Sequence, residues 1–363
     1  MKNRIKPARA VKPGTILRNE LDTRGWTQIE FAEIIGRPVQ AINEILSGKK
    51  AITPETALEI SNALGTSPEL WLNLETSYRL HLADRDSKTS EEIALKSKLY
   101  SLAPIRELQI RGIIDRTNNL DILQKQVLGF FNVQSLESEI HFASSYRLSN
   151  RDEADRSSVL AWLQCAANQA GKMYSKEYSH RDMLSFIPSL SHMSENQEST
   201  AKVPEVLADR GIKLAFVKHF PRTYLDGAAF WMDKTPVIAL SLRYDRLDYF
   251  WFTLMHELAH IIEDGGRESF KDPHYDENMF DPANFMNEEK ANTLAQNWLV
   301  DSSRLKTFIA VTDPYYSKGS IVAFSKQLGV HPSIIVGRLQ HEGKISFTHL
   351  RALHKKARHL FMG

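Results

Sequence analysis

Apolar residues recur at three- and four-residue intervals through most of the chain and alternate over only a short stretch beyond residue 210. The first pattern predicts amphipathic helices and the second predicts strands. Ile16, Leu17 and Leu21 form one stripe behind Pro13-Gly14. Thr27 with Glu30 three residues on predicts a capping box, and Gly36 ends that helix. Pro38 can open a helix over Val39–Leu46 that Gly48 closes. Thr53-Pro54 opens a fourth, closed by Gly65, and Ser67-Pro68 opens a fifth. Five short helices thus fill residues 13–80, behind a basic arm at residues 1–12.

Residues 84–100 are polar and read as linker or exposed helix. Residues 101–181 are mostly helical by period, through Leu102, Ile105 and Leu108, then Leu120–Val127, then Ala154–Tyr174. Residues 191–202 read as a polar loop. Strands are predicted at Ile212–Val217 and Pro236–Leu242, with a third at Tyr224–Met232 between them, followed by helices at 246–262, 287–300, 318–328 and 332–341. The predicted fold is mainly α: a five-helix N-terminal bundle at 1–80, a helical middle at 81–200, and an α+β C-terminal domain with a small sheet at 201–363.

Composition narrows the class. A chain of 363 residues suggests two or three domains, and 42% hydrophobic with 25% charged residues is ordinary for a globular protein. Cys165 stands alone, which excludes an internal disulfide framework and a Cys-rich zinc finger and fits a reducing cytoplasm. No apolar run approaches the roughly 20 residues of a membrane span. The basic N-terminus has no apolar segment behind it and does not read as a signal peptide. The net charge of +2 conceals unlike segments. Residues 1–50 carry ten Lys and Arg against five Asp and Glu, a balance of +5 that suits phosphates. Residues 263–289 carry nine acids and two bases, a balance of −7 that suits a cation. The C-terminal tail is basic again, with Arg351, Lys355, Lys356 and Arg358.

Two segments carry chemistry. TQIEFAEIIGRPVQAINEILSGK, from Thr27, has the layout of a helix-turn-helix, with Phe31, Ala32, Ile35, Ile42 and Ile45 packing two helices about the Gly36 turn. Its second helix is expected to present Arg37, Gln40 and Asn43 to base edges, which guanidinium and carboxamide groups can engage bidentately. Gln28, Lys49 and Lys50 are expected on phosphates. The bland alternative is a helical hairpin with an ordinary polar face. The run from Pro13 to Glu75, with its GWTQ start, INEILSGKKAITPETA block and GTSPELWLNL end, resembles the HigA/VapI-type antitoxin branch of the Xre helix-turn-helix family. The resemblance implies operator DNA as partner, binding as a homodimer, and autorepression of an operon that also encodes a toxin.

The second segment is His256-Glu257-Leu258-Ala259-His260. Spacing of i, i+4 places both imidazoles on one helix face, where their nitrogens can share a tetrahedral Zn²⁺. Glu257 beside them can take a proton from attacking water and pass it to a leaving amine. The alternative is two structural histidines on a half-buried helix. A metzincin third ligand would fall on Gly266 and is excluded. Glu288 is the candidate, with Asn292 on the same face to orient a ligand histidine, and Ala291 and Ala295 small enough for close approach. Glu289 and Asp264 are the rivals. Tyr244, Tyr275, His331 and His341 have the chemistry of an oxyanion donor, and none is singled out.

The runs from Pro236 to Ile262 and from Asn287 to Val300 resemble the ImmA/IrrE metallopeptidases, over about residues 200–345. That resemblance implies a gluzincin-like site with Glu288 as third ligand, and proteolysis of a repressor-type protein. Two features depart from the pattern: no substrate loop is recognisable, and Val300-Asp301 replaces the usual proline. Residues 324–345 also have a helix-turn-helix look about Gly329 and read as packing for the peptidase domain. Two functions follow. One is a DNA-binding regulator with a working zinc endopeptidase. The other is an antitoxin that neutralises a toxin by contact, its zinc domain structural or sensory.

Overall fold

The computed structural model describes residues 11–83, 87–138, 144–148, 155–263 and 282–362. Most of the basic arm, residues 84–86, the predicted Gly265-Gly266 helix stop, Asp264, Tyr275 and most of the acidic segment lie outside the described residues. The chain forms two compact units, Met1–Lys96 and Ser97–Gly363.

The first unit has the five predicted helices: α1 Pro13–Arg24, α2 Gln28–Ile34, α3 Val39–Ser47, α4 Pro54–Leu64 and α5 Pro68–Ala83. Their ends are set by local chemistry. The Thr27–Glu30 capping box forms in both directions, and Thr53 accepts from the Thr56 N–H at the start of α4. Phe31, Ile42, Ile45, Ile60 and Trp71 are buried on the inward faces, and the Trp71 indole donates to Thr66 Oγ1 at 2.8 Å. Gly14 is where α1 meets α3. A Cβ there would lie 2.5 Å from the carbonyl oxygens of Ile45 and Leu46, so only glycine permits that approach.

A further helix, α6 Ser87–Leu102, carries the chain across the boundary, so the polar segment expected as linker or exposed helix is helical. The second unit continues with α7 Ile105–Ile110, α8 Leu120–Phe131, β1 Ser144–Leu148, α9 Arg156–Ala170 and α10 His180–His192. Then come α11 Gln197–Ala201, α12 Val203–Ala208, β2 Lys213–Phe216, β3 Leu225–Met232 and β4 Thr235–Leu240. The chain ends with α13 Leu247–Glu263, α14 Pro282–Leu299, α15 Ser302–Thr312, α16 Lys318–Leu328 and α17 Pro332–His341. The strands form one mixed sheet in the order β1-β3-β4-β2. β3 is antiparallel to both β1 and β4, whereas β2 runs parallel to β4 with Lys213 opposite Val237.

The middle region is mostly helical, with β1 joining the sheet beside β3, its Tyr146 paired with Ala228. One expectation needs correction: 191–202 is not a loop. It finishes α10 and contains α11, whose first turn is capped by the Asn196 side chain accepting from the Ser199 N–H at 2.9 Å. Thr200 is buried there, donating to Asn196 O and accepting from the Trp251 indole. Polar composition concealed a helix whose one buried hydroxyl, that of Thr200, is satisfied inside the core.

α13 packs against β3, β4 and α14, and its Phe250, Trp251, Leu254, Met255, Leu258 and Ile261 lie in the main core. The basic tail straps down the start of this helix. Asp245 Oδ1 accepts from the Ala357 and Arg358 N–H groups at 3.0 and 2.8 Å, and Arg358 donates to Leu242 O at 2.9 Å. Phe361 stacks on Phe216 and packs on Phe250. Among the described residues no helix is long and apolar enough to cross a membrane.

Gly14→Ala is expected to destabilise the first unit by about 2 kcal/mol, as overpacking of a tight core does. Urea unfolding of the full chain followed by circular dichroism checks this, and an unchanged early transition would refute the close-approach role.

Candidate functional site

α13 is apolar on nearly every side, and the sheet and α14 bury it almost completely. Burial therefore extends to three polar side chains: His256 and Glu257 have no exposed surface, and His260 is 5% exposed. One turn separates the histidines, and their Nε2 atoms face each other at 3.1 Å. α14 approaches closely because Ala291 and Ala295 are small and buried, as their positions in the sequence suggest. That approach brings Glu288 onto the pair, Oε2 at 3.3 Å from His256 Nε2 and Oε1 at 3.3 Å from His260 Nε2.

Three ligating atoms thus converge from two helices. A tetrahedral zinc with bonds of about 2.0–2.1 Å sets its ligand atoms about 3.3 Å apart. The observed 3.1, 3.3 and 3.3 Å match that spacing, so the donor set fits such an ion in both chemistry and distance. Burial works against ionisation of the Glu288 carboxyl, but its hydrogen bonds to His256 and then His260 outweigh it and hold the group down at about 2. Glu288 is therefore anionic at neutral pH.

The rival Glu289 is exposed, one position off the converging face, and next to it Lys290 pairs with Glu263 on the surface. Asn292 lies one turn beyond Glu288 with its Oδ1 buried and without a hydrogen-bond partner, so the expected bond to a ligand histidine is not formed here. The oxyanion candidates have other occupations. His331 caps α17, its Nδ1 accepting from the Ser333 N–H at 3.1 Å, and the exposed Tyr244 packs at a tilt against Tyr249. His341 is exposed.

One residue escaped the sequence reading. Gly227 on β3 faces α13, and a Cβ there would sit 2.7 Å from Glu257 Oε1 and from Thr253 Cγ2. The missing side chain makes room for the Glu257 carboxylate against the sheet. A lone glycine inside a strand-like run was the available signal.

In the first unit, Gly36 turns the chain between α2 and α3 with φ +66°. Asn43 and Gln40 are exposed on α3, with Gln40 Nε2 donating to Glu44 at 3.2 Å; Lys49 and Lys50 are exposed beyond its end. Gln28 is half-buried at the start of α2. Arg37, expected to be presented to base edges, is half-buried and ion-paired. Glu59 on α4 binds it through both Nε and Nη2, the latter at 3.1 Å, which raises its pKa further.

Two family models match separate segments of the chain. The helix-turn-helix family model matches residues 17–71, and the model for the IrrE N-terminal-like domain matches residues 209–340. The Escherichia coli K12 HTH-type transcriptional regulator YddM is 35% identical over 81 residues, covering 22% of this chain and 86% of that protein. Virulence-associated protein I of Dichelobacter nodosus is also 35% identical over 81 residues, covering 22% of this chain and 75% of its own. Antitoxin HigA-1 of Vibrio cholerae is 29% identical over 93 residues, covering 25% of this chain and 86% of the antitoxin.

Gly227→Ala is expected to displace Glu257 or the strand, lowering the melting temperature by several degrees in line with about 1–3 kcal/mol of overpacking. Calorimetry of the full chain checks it, and a melting temperature equal to wild type would show that the space beside Glu257 is not needed.

Proposed function

We propose that this chain, which belongs to the helix-turn-helix regulators of the HigA and VapI type and carries an IrrE-like peptidase domain behind that module, is a transcriptional repressor with a zinc-dependent endopeptidase in its second unit. The observation that carries the enzymatic half is the convergence of His256, His260 and Glu288 at a common point beside Glu257. The two imidazole Nε2 atoms and the Glu288 carboxylate would hold the ion. When bound, zinc supplies Lewis acidity toward a peptide carbonyl and acidifies water. The protein's own task is proton movement. Glu257 accepts the proton of the attacking water and returns it to the leaving amine, the work of a positioned carboxylate. Burial of the helix keeps bulk water from competing at that carboxylate. Control of a neighbouring operon by cleavage of a regulatory protein in the cytoplasm follows as the biological setting.

The DNA-reading half rests on the exposed face of α3 and on the regulators it resembles. Asn43 and Gln40 would reach base edges, and Lys49, Lys50 and Gln28 would contact phosphates. The Glu59 clasp on Arg37 favours an orienting part over direct readout. A homodimer on a two-fold symmetric operator is the expected assembly.

A second reading has its own support. The relatives matched by the first unit include a transcriptional regulator and an antitoxin, each 86% covered by the match. On that reading the chain neutralises a toxin by contact, and a chain stripped of zinc by Glu288→Gln would still do so.

Glu257→Gln is expected to retain one zinc per chain by mass spectrometry while peptide cleavage falls by about 10²–10⁴-fold. His260→Ala and Glu288→Gln should lose both metal and cleavage. Cleavage by a zinc-bound Glu257→Gln chain at the wild-type rate would overturn the assignment. On the DNA side, Asn43→Ala should cost about 1–3 kcal/mol at one operator position. Lys49→Ala should weaken all sequences alike and reduce the salt slope by about one. Gel shifts over a salt series distinguish them, and no effect from either change would remove α3 as the reading helix.

A further inference from the structure

The polar side chains gathered on α13 have almost no route to solvent. His256 and Glu257 have no exposed surface, and His260 is 5% exposed. A polypeptide that is to meet Glu257 must enter space that the chain itself fills.

β1 stands at that place. This five-residue strand, Ser144–Leu148, lies on β3 and against α13. Its pairing puts Arg147 opposite Gly227, the residue whose missing side chain admits the Glu257 carboxylate. Paired residues of antiparallel strands have Cα atoms about 4.5–5.5 Å apart, so the β1 backbone passes one strand away from the seat of Glu257. The register breaks at the same level. Arg147 opposes Gly227 but Leu148 opposes Leu225, which leaves Asp226 as an extra residue on β3. Such a bulge interrupts the ladder, and bulges gather beside active sites.

The rest of the sheet closes without β1. β2, β4 and β3 pair in succession, and among the described residues β1 pairs along one side only. β3 and β4 follow each other in sequence, whereas β1 comes from between α8 and α9. Without β1, β3 would be the edge of the sheet, its row of N–H and C=O groups open to an extended chain. A short strand held along one side belongs to the low end of local stability.

We propose that the edge of β3 beside Gly227 is the binding surface for an extended polypeptide substrate, and that β1 is its resident occupant, an internal strand that the substrate replaces. The substrate backbone runs antiparallel to β3 where the β1 backbone now lies, shares main-chain hydrogen bonds with it and so reaches Glu257. This deepens the peptidase reading and rests on it for the fate of the bound peptide. The occupied edge itself stands on the strand pairing.

The test locks and unlocks β1. Ser145 and Ala229 are direct partners, and the Cα separation of such a pair suits a disulfide. Ser145→Cys with Ala229→Cys, made in full-length Glu257→Gln protein, therefore fastens β1 to β3 when oxidised. The probe is fluorescein-labelled SSYRL amide, a copy of β1, read by anisotropy and by hydrogen exchange over residues 225–232. Reduced protein should bind the probe and oxidised protein should not. A second variant opens the edge. Of two adjacent residues in an antiparallel strand only one lies in a hydrogen-bonded pair, so Ser145→Pro with Tyr146→Pro removes whichever donor reaches β3. That variant should bind at least about tenfold tighter than its Glu257→Gln parent, because apparent affinity falls with the fraction of molecules whose edge is open. The bound probe should slow exchange over 225–232. Equal binding by oxidised and reduced protein overturns the proposal, and so does a proline variant with the parent's circular dichroism that binds no tighter. The lock compares one polypeptide with itself, so it decides the matter should the proline variant fail to fold. With Glu257 restored and zinc added, labelled casein should be cleaved by the reduced form and spared by the oxidised one. Probe binding with casein intact in every form would count against the peptidase reading alone. Equal cleavage by oxidised and reduced forms would count against the resident strand alone.

Discussion

Two imidazoles and a carboxylate meet in the interior between α13 and α14, and much of the second unit is arranged to allow it. Polar groups removed from water are costly unless paired, and charged ones more so. The compensation here is mutual. Glu288 is stabilised as an anion by hydrogen bonds to His256 and His260, which outweigh its own burial and hold it at about 2. Ala291 and Ala295 let α14 close on α13, and Gly227 lets β3 close on Glu257. The C-terminal strap, through Asp245 and Arg358, holds the start of the same helix. A metal ion between those three ligating atoms would turn a tolerated cluster of buried polar groups into a satisfied one.

The first unit works by different physics. It is small, and its helices are delimited by caps and by Pro and Gly at their ends rather than by a large core. The tight seat of Gly14 against α3 fixes the attitude of that helix. The clasp between Arg37 and Glu59 ties the α2–α3 connection to α4. A rigid α3 presenting Gln40 and Asn43 suits readout, since recognition groups are most selective when their scaffold does not move. The price is that Arg37, the residue best suited to a guanine edge, is engaged elsewhere.

A helix-turn-helix module and a metallopeptidase-like site stand on one chain. Nothing in that combination requires the middle helices to do chemistry. Their main visible contribution is architectural: α9 lies against the sheet, with the Trp162 indole donating to Val217 O at 2.8 Å, and β1 extends the sheet beside β3.

The five N-terminal helices are legible in the amino-acid sequence, because Thr27, Pro38, Thr53, Gly36, Gly48 and Gly65 mark boundaries through local hydrogen bonding and backbone conformation. The His256–His260 pair is legible for a similar reason, since i, i+4 spacing becomes proximity in any helix. So are α16 and α17, whose period and punctuation agree. Glu288 can be argued over Glu289 from helix phase, but its arrival at the two histidines depends on how two helices distant in sequence pack. The same holds for the features that no local pattern reveals. β1 has no sheet without β3, α11 buries the Thr200 hydroxyl against Trp251, and Gly227 matters only because Glu257 lies across from it. Sequence alone determined the elements whose causes lie within a few residues. Tertiary structure decided which polar groups share an interior, because that depends on contacts between segments far apart along the chain.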